Sequence, residues 1–278
     1  MKTIKAEQIQ QAVRDLFLEA GLCPPAEVVC ALREAHKTEA SPQGREVLSQ
    51  LVENARIAKR DRIPYCQDTG MAVVFLDVGQ DIHIEGSLAK AVNDGVREAY
   101  DKGYMRKSVL TALSRKNTGD NTPAVIHTTL VEGDTLTITA LPKGFGSENM
   151  SRIKMFPPSA GMEGIKAFIV DTAKIASANP CPPVVLGVGI GGTFELAAIM
   201  SKRQLARPLG QPNADPVLRE MEQDIKDRIN ALGMGPMGLG GTHYCLAVHI
   251  MEYPTHIAGL PVAVNYCCHA ARHATCTL

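Results

Sequence analysis

Eight cysteines, at positions 23, 30, 66, 181, 245, 267, 268 and 276, are the residues in this 278-residue chain best suited to chemistry. No Cys-x-x-Cys pair occurs among them, which disfavours a zinc ribbon or a thioredoxin-type site. Three stand apart by context. Cys66 lies in Pro-Tyr-Cys-Gln-Asp-Thr-Gly, Cys181 in Asn-Pro-Cys-Pro-Pro, and Cys268 in Asn-Tyr-Cys-Cys-His-Ala-Ala-Arg. Each falls where a turn meets a strand. Three thiolates so placed can hold three corners of a [4Fe–4S] cube and leave the fourth iron open. Such an iron is a Lewis acid for a substrate hydroxyl and carboxylate. Buried free cysteines are common, so the spacing alone equally allows core side chains. That reading prevails for Cys23, Cys30 and Cys245, in helix-flanking or strand positions.

A second candidate is glycine-rich. Gly187, Gly189 and Gly192 fit the G-x-G-x-x-G spacing that cradles a pyrophosphate between a strand and a helix. A dinucleotide fold then needs a second strand ending in Asp or Glu. The segment that follows, ARPLGQPNADPVL, is instead rich in Pro and Gly. The motif therefore predicts a tight strand-to-helix turn with close packing, whose helix amides could still hold a small anion.

The elements that must position these residues follow from periodicity and punctuation. Residues 5–20, 25–39 and 44–60 read as helices, with Ile9, Val13, Leu16 and Phe17 on one face of the first. AVVFLDVG (72–79) reads as a strand, IHIEG as a short continuation, and residues 88–102 as a helix. The β-rich runs around Glu132-Gly133-Asp134 predict a hairpin. Residues 161–178, 193–204 and 215–231 read as helices; PPVVLGVGI, 243–251 and 261–267 read as strands. The expected fold is mixed α/β (α+β): a helical portion 1–60, then a mixed-sheet body 61–278, within one domain spanning 1–278.

Composition excludes several functions. Lys plus Arg and Asp plus Glu number 29 each, so no net field steers the chain to nucleic acid or anionic membranes. Tryptophan is absent, and six Phe with six Tyr offer little for base stacking. No apolar run reaches transmembrane length, and the charged, amphipathic N-terminus is unlike a signal peptide. A cytoplasmic chain without disulfides is the expectation.

Five segments then carry a resemblance. CQDTG (66–70), KGFGSEN (143–149), NPCPP (179–183), GVGIGGTFE (187–195) and NYCCHAAR (265–272) resemble, in order, the α portion of iron–sulfur hydro-lyases. These are the class I fumarases and the L(+)-tartrate dehydratases. The resemblance implies a [4Fe–4S] cluster with one iron not ligated by cysteine, held by Cys66, Cys181 and Cys268. Cys268 rather than its neighbour Cys267 matches because His269 and Arg272 follow it. Neighbours in an extended segment point to opposite sides, so only one of the two faces a cluster.

The same resemblance implies further roles. Asp68 matches the active-site acid, although an Asx-turn would also use an Asp there. Gln67 shares the turn or contacts substrate. Arg106 matches an arginine that binds a substrate carboxylate, for which a planar bidentate donor is apt. Lys143, Gly144, Gly146 and Ser147 offer a cation and amides to the same carboxylates. His256 matches the active-site histidine, whereas the other histidines read as ordinary. The one-chain class I fumarases continue beyond the position of Leu278, so a separate β subunit, in an α2β2 assembly, is expected to complete the site.

The implied reaction is reversible hydration of fumarate to (S)-malate. Dehydration of L(+)-tartrate to oxaloacetate is the alternative within the same chemistry. A non-catalytic cluster-binding scaffold is an alternative of another class, and a nicotinamide oxidoreductase the last. A scaffold needs none of Asp68, Arg106 and His256.

Overall fold

The computed structural model describes residues 2–278. In chain order its elements are β1 (Lys2–Lys5), α1 (Ala6–Leu22), α2 (Ala26–Thr38), α3 (Pro42–Asp61), β2 (Met71–Gly79), β3 (Ile82–Glu85), α4 (Leu88–Lys102), β4 (Val125–Val131), β5 (Leu136–Lys143) and α5 (Phe145–Glu148). There follow β6 (Arg152–Phe156), α6 (Gly161–Ala176), β7 (Val184–Gly191), α7 (Phe194–Gln204), α8 (Pro216–Asn230), β8 (Cys245–Tyr253), β9 (Leu260–Cys267) and β10 (Ala274–Thr277). The mixed α/β fold is as expected from the sequence. The chain forms two units from interleaved segments. The first comprises residues up to Pro25, Asn54–Phe145 and Arg272–Leu278; the second comprises Ala26–Glu53 and Gly146–Ala271.

In the first unit α1 buries Ile9, Val13, Leu16 and Phe17, one stripe at helical spacing. Burying each such side chain contributes about 1.5–3 kcal/mol. The exposed Arg14–Asp15 pair contributes at most about 1 kcal/mol, so packing rather than charge fixes the helix. Its partner α4 starts at Ser87, whose hydroxyl accepts from the Lys90 amide at 3.4 Å. Gly95 lets the two helices touch: a Cβ there would lie 2.6 Å from the Gln10 carbonyl oxygen.

The main sheet of this unit has the order β10-β5-β2-β4. Here the structure corrects the sequence reading. The two β-rich runs around Glu132–Asp134 do form strands, but β4 and β5 flank β2 instead of pairing as a hairpin. β4 lies parallel to β2 and β5 antiparallel to it. The reason is the apolar run of β2, in which residues 72–76 are all buried; such a strand belongs in the middle of a sheet, covered on both faces. Gly79 permits the turn geometry, because a Cβ there would meet the Gly133 carbonyl oxygen at 2.4 Å.

The second unit is built on a sheet of order β6-β9-β7-β8. Every residue of the central strand β7 is buried. Side chains alternate along it: Val184, Leu186, Val188 and Ile190 join a core with residues of α6 and α8. The other face, at Gly187 and Gly189, receives α7. A Cβ on Gly187 would stand 2.0 Å from the Ser201 carbonyl oxygen, and one on Gly189 would stand 2.2 Å from that of Ala197. These glycines let a helix backbone lie directly on a strand, as the close-packing reading expects. No helix among the described residues is long and apolar enough to cross a membrane.

Candidate active site

The CQDTG turn enters β2 in the first unit, held by its own backbone and by neighbours. Gly70 has φ +79°, and a Cβ there would lie 2.8 Å from the backbone of Pro142 and Lys143; only glycine fits. Asp68 Oδ1 accepts from the Gly70 amide at 3.0 Å, the Asx-turn bond. Its Oδ2 accepts from the Phe145 amide at 2.8 Å. The carboxylate therefore serves the turn and also ties it to the KGFGSEN segment.

Three further side chains hold the turn. The Tyr100 hydroxyl donates to the Thr69 and Gly70 carbonyls at 2.7 and 2.9 Å. Burial, the main influence on this phenol, pushes its pKa well above the ordinary tyrosine value and keeps it a neutral donor. Asn121 Nδ2 donates to the Gly70 carbonyl at 3.2 Å, while its Oδ1 accepts from the amides of Ser108 and Val109 at 2.7 and 3.2 Å. Thr69 Oγ1 donates to the Arg106 carbonyl at 2.7 Å. Arg106, exposed, is thereby fixed by its backbone beside the turn. Lys143 is buried, with Nζ donating to the Gly144 carbonyl at 2.9 Å, whereas Gln67 is exposed. The first unit thus gathers Cys66, Gln67, Asp68, Arg106, Lys143 and Gly144.

In the second unit Cys181 is exposed and has φ +53°, at the end of the turn before β7. Its carbonyl accepts from the His269 amide at 3.3 Å, and the His269 Nδ1 lies 3.1 Å from the same oxygen. These bonds join the NPCPP turn to the segment carrying Cys268, which is half-buried just past β9. Cys267, the last residue of β9, is buried and opposite Val185 of β7. Gly146 is exposed and Ser147 buried in α5. His256 is exposed in the turn between β8 and β9; its Nδ1 accepts from the Ala258 amide at 3.2 Å. Among the described residues, no three His, Cys, Asp or Glu side chains stand together as a metal-holding group.

The sequence pattern of the fumarate hydratase (Fumerase) family matches residues 10–277. The chain belongs to the fumarate hydratase family. Its similarity to two curated proteins spans most of each chain. It is 38% identical over 278 residues to the putative L(+)-tartrate dehydratase subunit alpha of Methanocaldococcus jannaschii, covering 96% of both. It is 32% identical over 255 residues to the L(+)-tartrate dehydratase subunit alpha of Escherichia coli K12, covering 90% of this chain and 84% of that one. As a fumarate hydratase family member the chain is a hydro-lyase.

Sequence reasoning singled out neither Tyr100 nor Asn121, and it used Arg272 only to mark the motif around Cys268. Tyr100 reads as one more apolar residue of an amphipathic helix, and Asn121 as a loop residue. Nothing local shows that their polar atoms end on the carbonyls of a turn some distance away in sequence. A second network joins Glu148 to Lys202 and to Asn265, whose Nδ2 donates to Glu148 Oε2 at 3.2 Å. A surface cavity of about 570 Å³ in the second unit, lined by Arg207, Arg219, Glu222 and Lys226 among others, contains none of the predicted site residues. Its Glu222 and Arg207 pair with one another at 2.7 Å, leaving mixed charges that select no ligand class.

Proposed function

We propose that this chain is the cluster-bearing α subunit of a cytoplasmic two-subunit hydro-lyase that hydrates fumarate reversibly to (S)-malate. The observation that carries the reading is the Asp68 carboxylate, fixed by the Gly70 and Phe145 amides where CQDTG meets KGFGSEN. A scaffold would not need a carboxylate aimed by two amides and set beside the backbone of Arg106.

The accessibility of three thiols supports a [4Fe–4S] cluster on Cys66, Cys181 and Cys268. A ligand must be a thiolate and must be reachable. Cys66 and Cys268 are half-buried and Cys181 is exposed. By contrast, burial pushes the Cys245 thiol up to about 12, and raises those of Cys23 and Cys276 above the ordinary range. The burial of Cys267 within β9 supports Cys268 as the third ligand. When bound, such a cluster supplies a Lewis acid that polarises the C–O bond at the hydroxyl-bearing carbon.

The chain's own residues bind the substrate and serve its hydroxyl. Arg106 and Lys143, with the amides of Gly144, Gly146 and Ser147, orient a substrate carboxylate, and Gln67 contacts the substrate beside them. Asp68 and His256 serve the proton network of the hydroxyl oxygen. Hydration places OH on one alkene carbon and H on the other. In the reverse direction a base removes that carbon-bound proton as the hydroxyl leaves with a proton of its own. The base comes from a β subunit, as the α-subunit names of the relatives suggest.

Those names also favour a second reading, dehydration of L(+)-tartrate to oxaloacetate, which differs by one substrate hydroxyl. The test is anaerobic reconstitution with the partner chain and assay on fumarate, (S)-malate and L(+)-tartrate. Turnover of fumarate and malate is expected. Turnover of tartrate alone would install the second reading, and activity on none of the three would overturn both.

A further inference from the structure

Arg272 returns the chain to the first unit just ahead of β10. The β10–β5 register pairs Ala274 with Ala140, so Arg272 enters at the level of the end of β5, where Lys143 and Gly144 lie. It is only 2% exposed. One of its nitrogens, Nη2, donates to the main-chain carbonyl of Asp68 at 2.8 Å. The other two, Nε and Nη1, are buried without a hydrogen-bond partner. A buried guanidinium without a carboxylate is costly to keep, and a core position would be filled more favourably by an apolar side chain of similar volume.

The surroundings specify what this charge touches. Gly144 lies over the group: a Cβ there would come 3.1 Å from Asp68 Oδ2 and 3.7 Å from Arg272 Nη2. A side chain at 144 would thus crowd the Asp68 carboxylate and lie in van der Waals contact with the guanidinium. Arg272 and Asp68 also act with opposite sign on the buried Tyr100 phenol, which itself grips the next two carbonyls of the turn. Arg272 therefore completes a row of donors on three successive carbonyls, those of Asp68, Thr69 and Gly70. It holds Asp68 by the backbone, which leaves the carboxylate to the Gly70 and Phe145 amides and to substrate.

We infer that Arg272 is a positioning residue for Asp68, clamping its main chain so that the carboxylate faces the reacting hydroxyl. The inference rests on the reading of Asp68 as the active-site acid. It assigns to the arginine of NYCCHAAR a task distinct from carboxylate capture by Arg106. Loss of the clamp should lower turnover more than substrate affinity, because the hydrogen bond Arg272 makes goes to the Asp68 main chain and not to Arg106 or Lys143.

The experiment compares Arg272→Met, which keeps volume without charge, with Arg272→Lys, which keeps charge and an N–H donor. The first readout is hydrogen exchange of the Gly70 and Phe145 amides in the cluster-free chain, which needs no activity. Arg272→Met should speed exchange at both amides at least tenfold while leaving Ile138 and Val74 of the same unit within threefold. Arg272→Lys should keep both amides within threefold of wild type. In the reconstituted enzyme with its partner, Arg272→Met should lower kcat 30- to 100-fold with KM within threefold. Unchanged protection of Gly70 and Phe145 in Arg272→Met would overturn the inference. So would equal behaviour of both variants, including a general loss of protection in both, since that assigns Arg272 to the core alone. Inactivity of the wild-type enzyme on every substrate would instead count against the hydro-lyase reading, with the exchange result standing on its own.

Discussion

The Phe145 amide donates to Asp68 Oδ2 at 2.8 Å, so one carboxylate oxygen links two sequence motifs that lie far apart along the chain. Replacing Asp68 by Asn removes the charge and sets an amide nitrogen against one of the two backbone donors. Asp68→Asn should lower kcat by at least about 100-fold, the lower end of what a positioned acid–base group supplies. Its melting temperature should stay within a few degrees of wild type, because the half-buried side chain contributes little packing. Retention of a tenth or more of wild-type turnover would remove Asp68 from the mechanism.

Adjacent cysteines give a sharper test. Cys267 is buried in the β9 ladder, whereas Cys268 is half-buried beyond it. Cys268→Ser should lose bound iron and sulfide on anaerobic reconstitution. Cys267→Ser should keep both, at a stability cost of about 1–3 kcal/mol for a hydroxyl introduced into the core. The reverse pattern of iron content would exchange the two assignments. Cys181→Ser should likewise empty the chain of iron, while Cys23→Ser, at the buried residue that caps the end of α1, should not.

Close packing of α7 on β7 predicts a steep cost for one methyl group. At Gly189 a Cβ would sit 2.2 Å from the Ala197 carbonyl oxygen, a distance that forces helix and strand apart. Gly189→Ala should destabilise the chain by about 3 kcal/mol in urea unfolding, at the upper end for overpacking. Gly259→Ala, where a Cβ would meet nothing within 4 Å, is the matched control and should change stability by less than about 0.5 kcal/mol. Equal effects would mean that the strand-to-helix spacing is softer than described.

Acid should loosen one specific contact. Glu39 is buried, and burial, the largest influence, opposes its charge. The amides of Ser41, Thr242 and His243 with the His243 ring outweigh it and hold the carboxyl down at about 2. A folded-state value below the unfolded one stabilises the fold at pH above about 4.5, and that stability is lost as pH falls toward 2. The contribution is on the order of 3 kcal/mol. Glu39→Gln should lower stability at pH 7 and flatten its decline between pH 4.5 and 2; an unaltered pH profile would show that the amide cluster does not depend on the charge.

The sequence by itself determined the helices and most strands. Their stripes and alternations are local properties: α1, α4, α6, α7 and α8 lie within a few residues of the ranges read from periodicity, and β2, β7, β8 and β9 do likewise. It also determined the family, since five short motifs in fixed order are a linear signal that the match over residues 10–277 repeats. What it did not carry was partnership between distant segments. The runs around Glu132–Asp134 looked like a hairpin because a turn signal says nothing about a third strand competing for the ladder, and β2 took the place between them. The short strands β1, β6 and β10 went unread, since four or five residues hold too little periodicity. Arg272 on the Asp68 carbonyl and Glu39 on the Thr242 amide bring together residues far apart along the chain. A buried charge is chosen by donors and acceptors that only the folded chain assembles, so its partner is a property of tertiary structure and not of neighbouring letters.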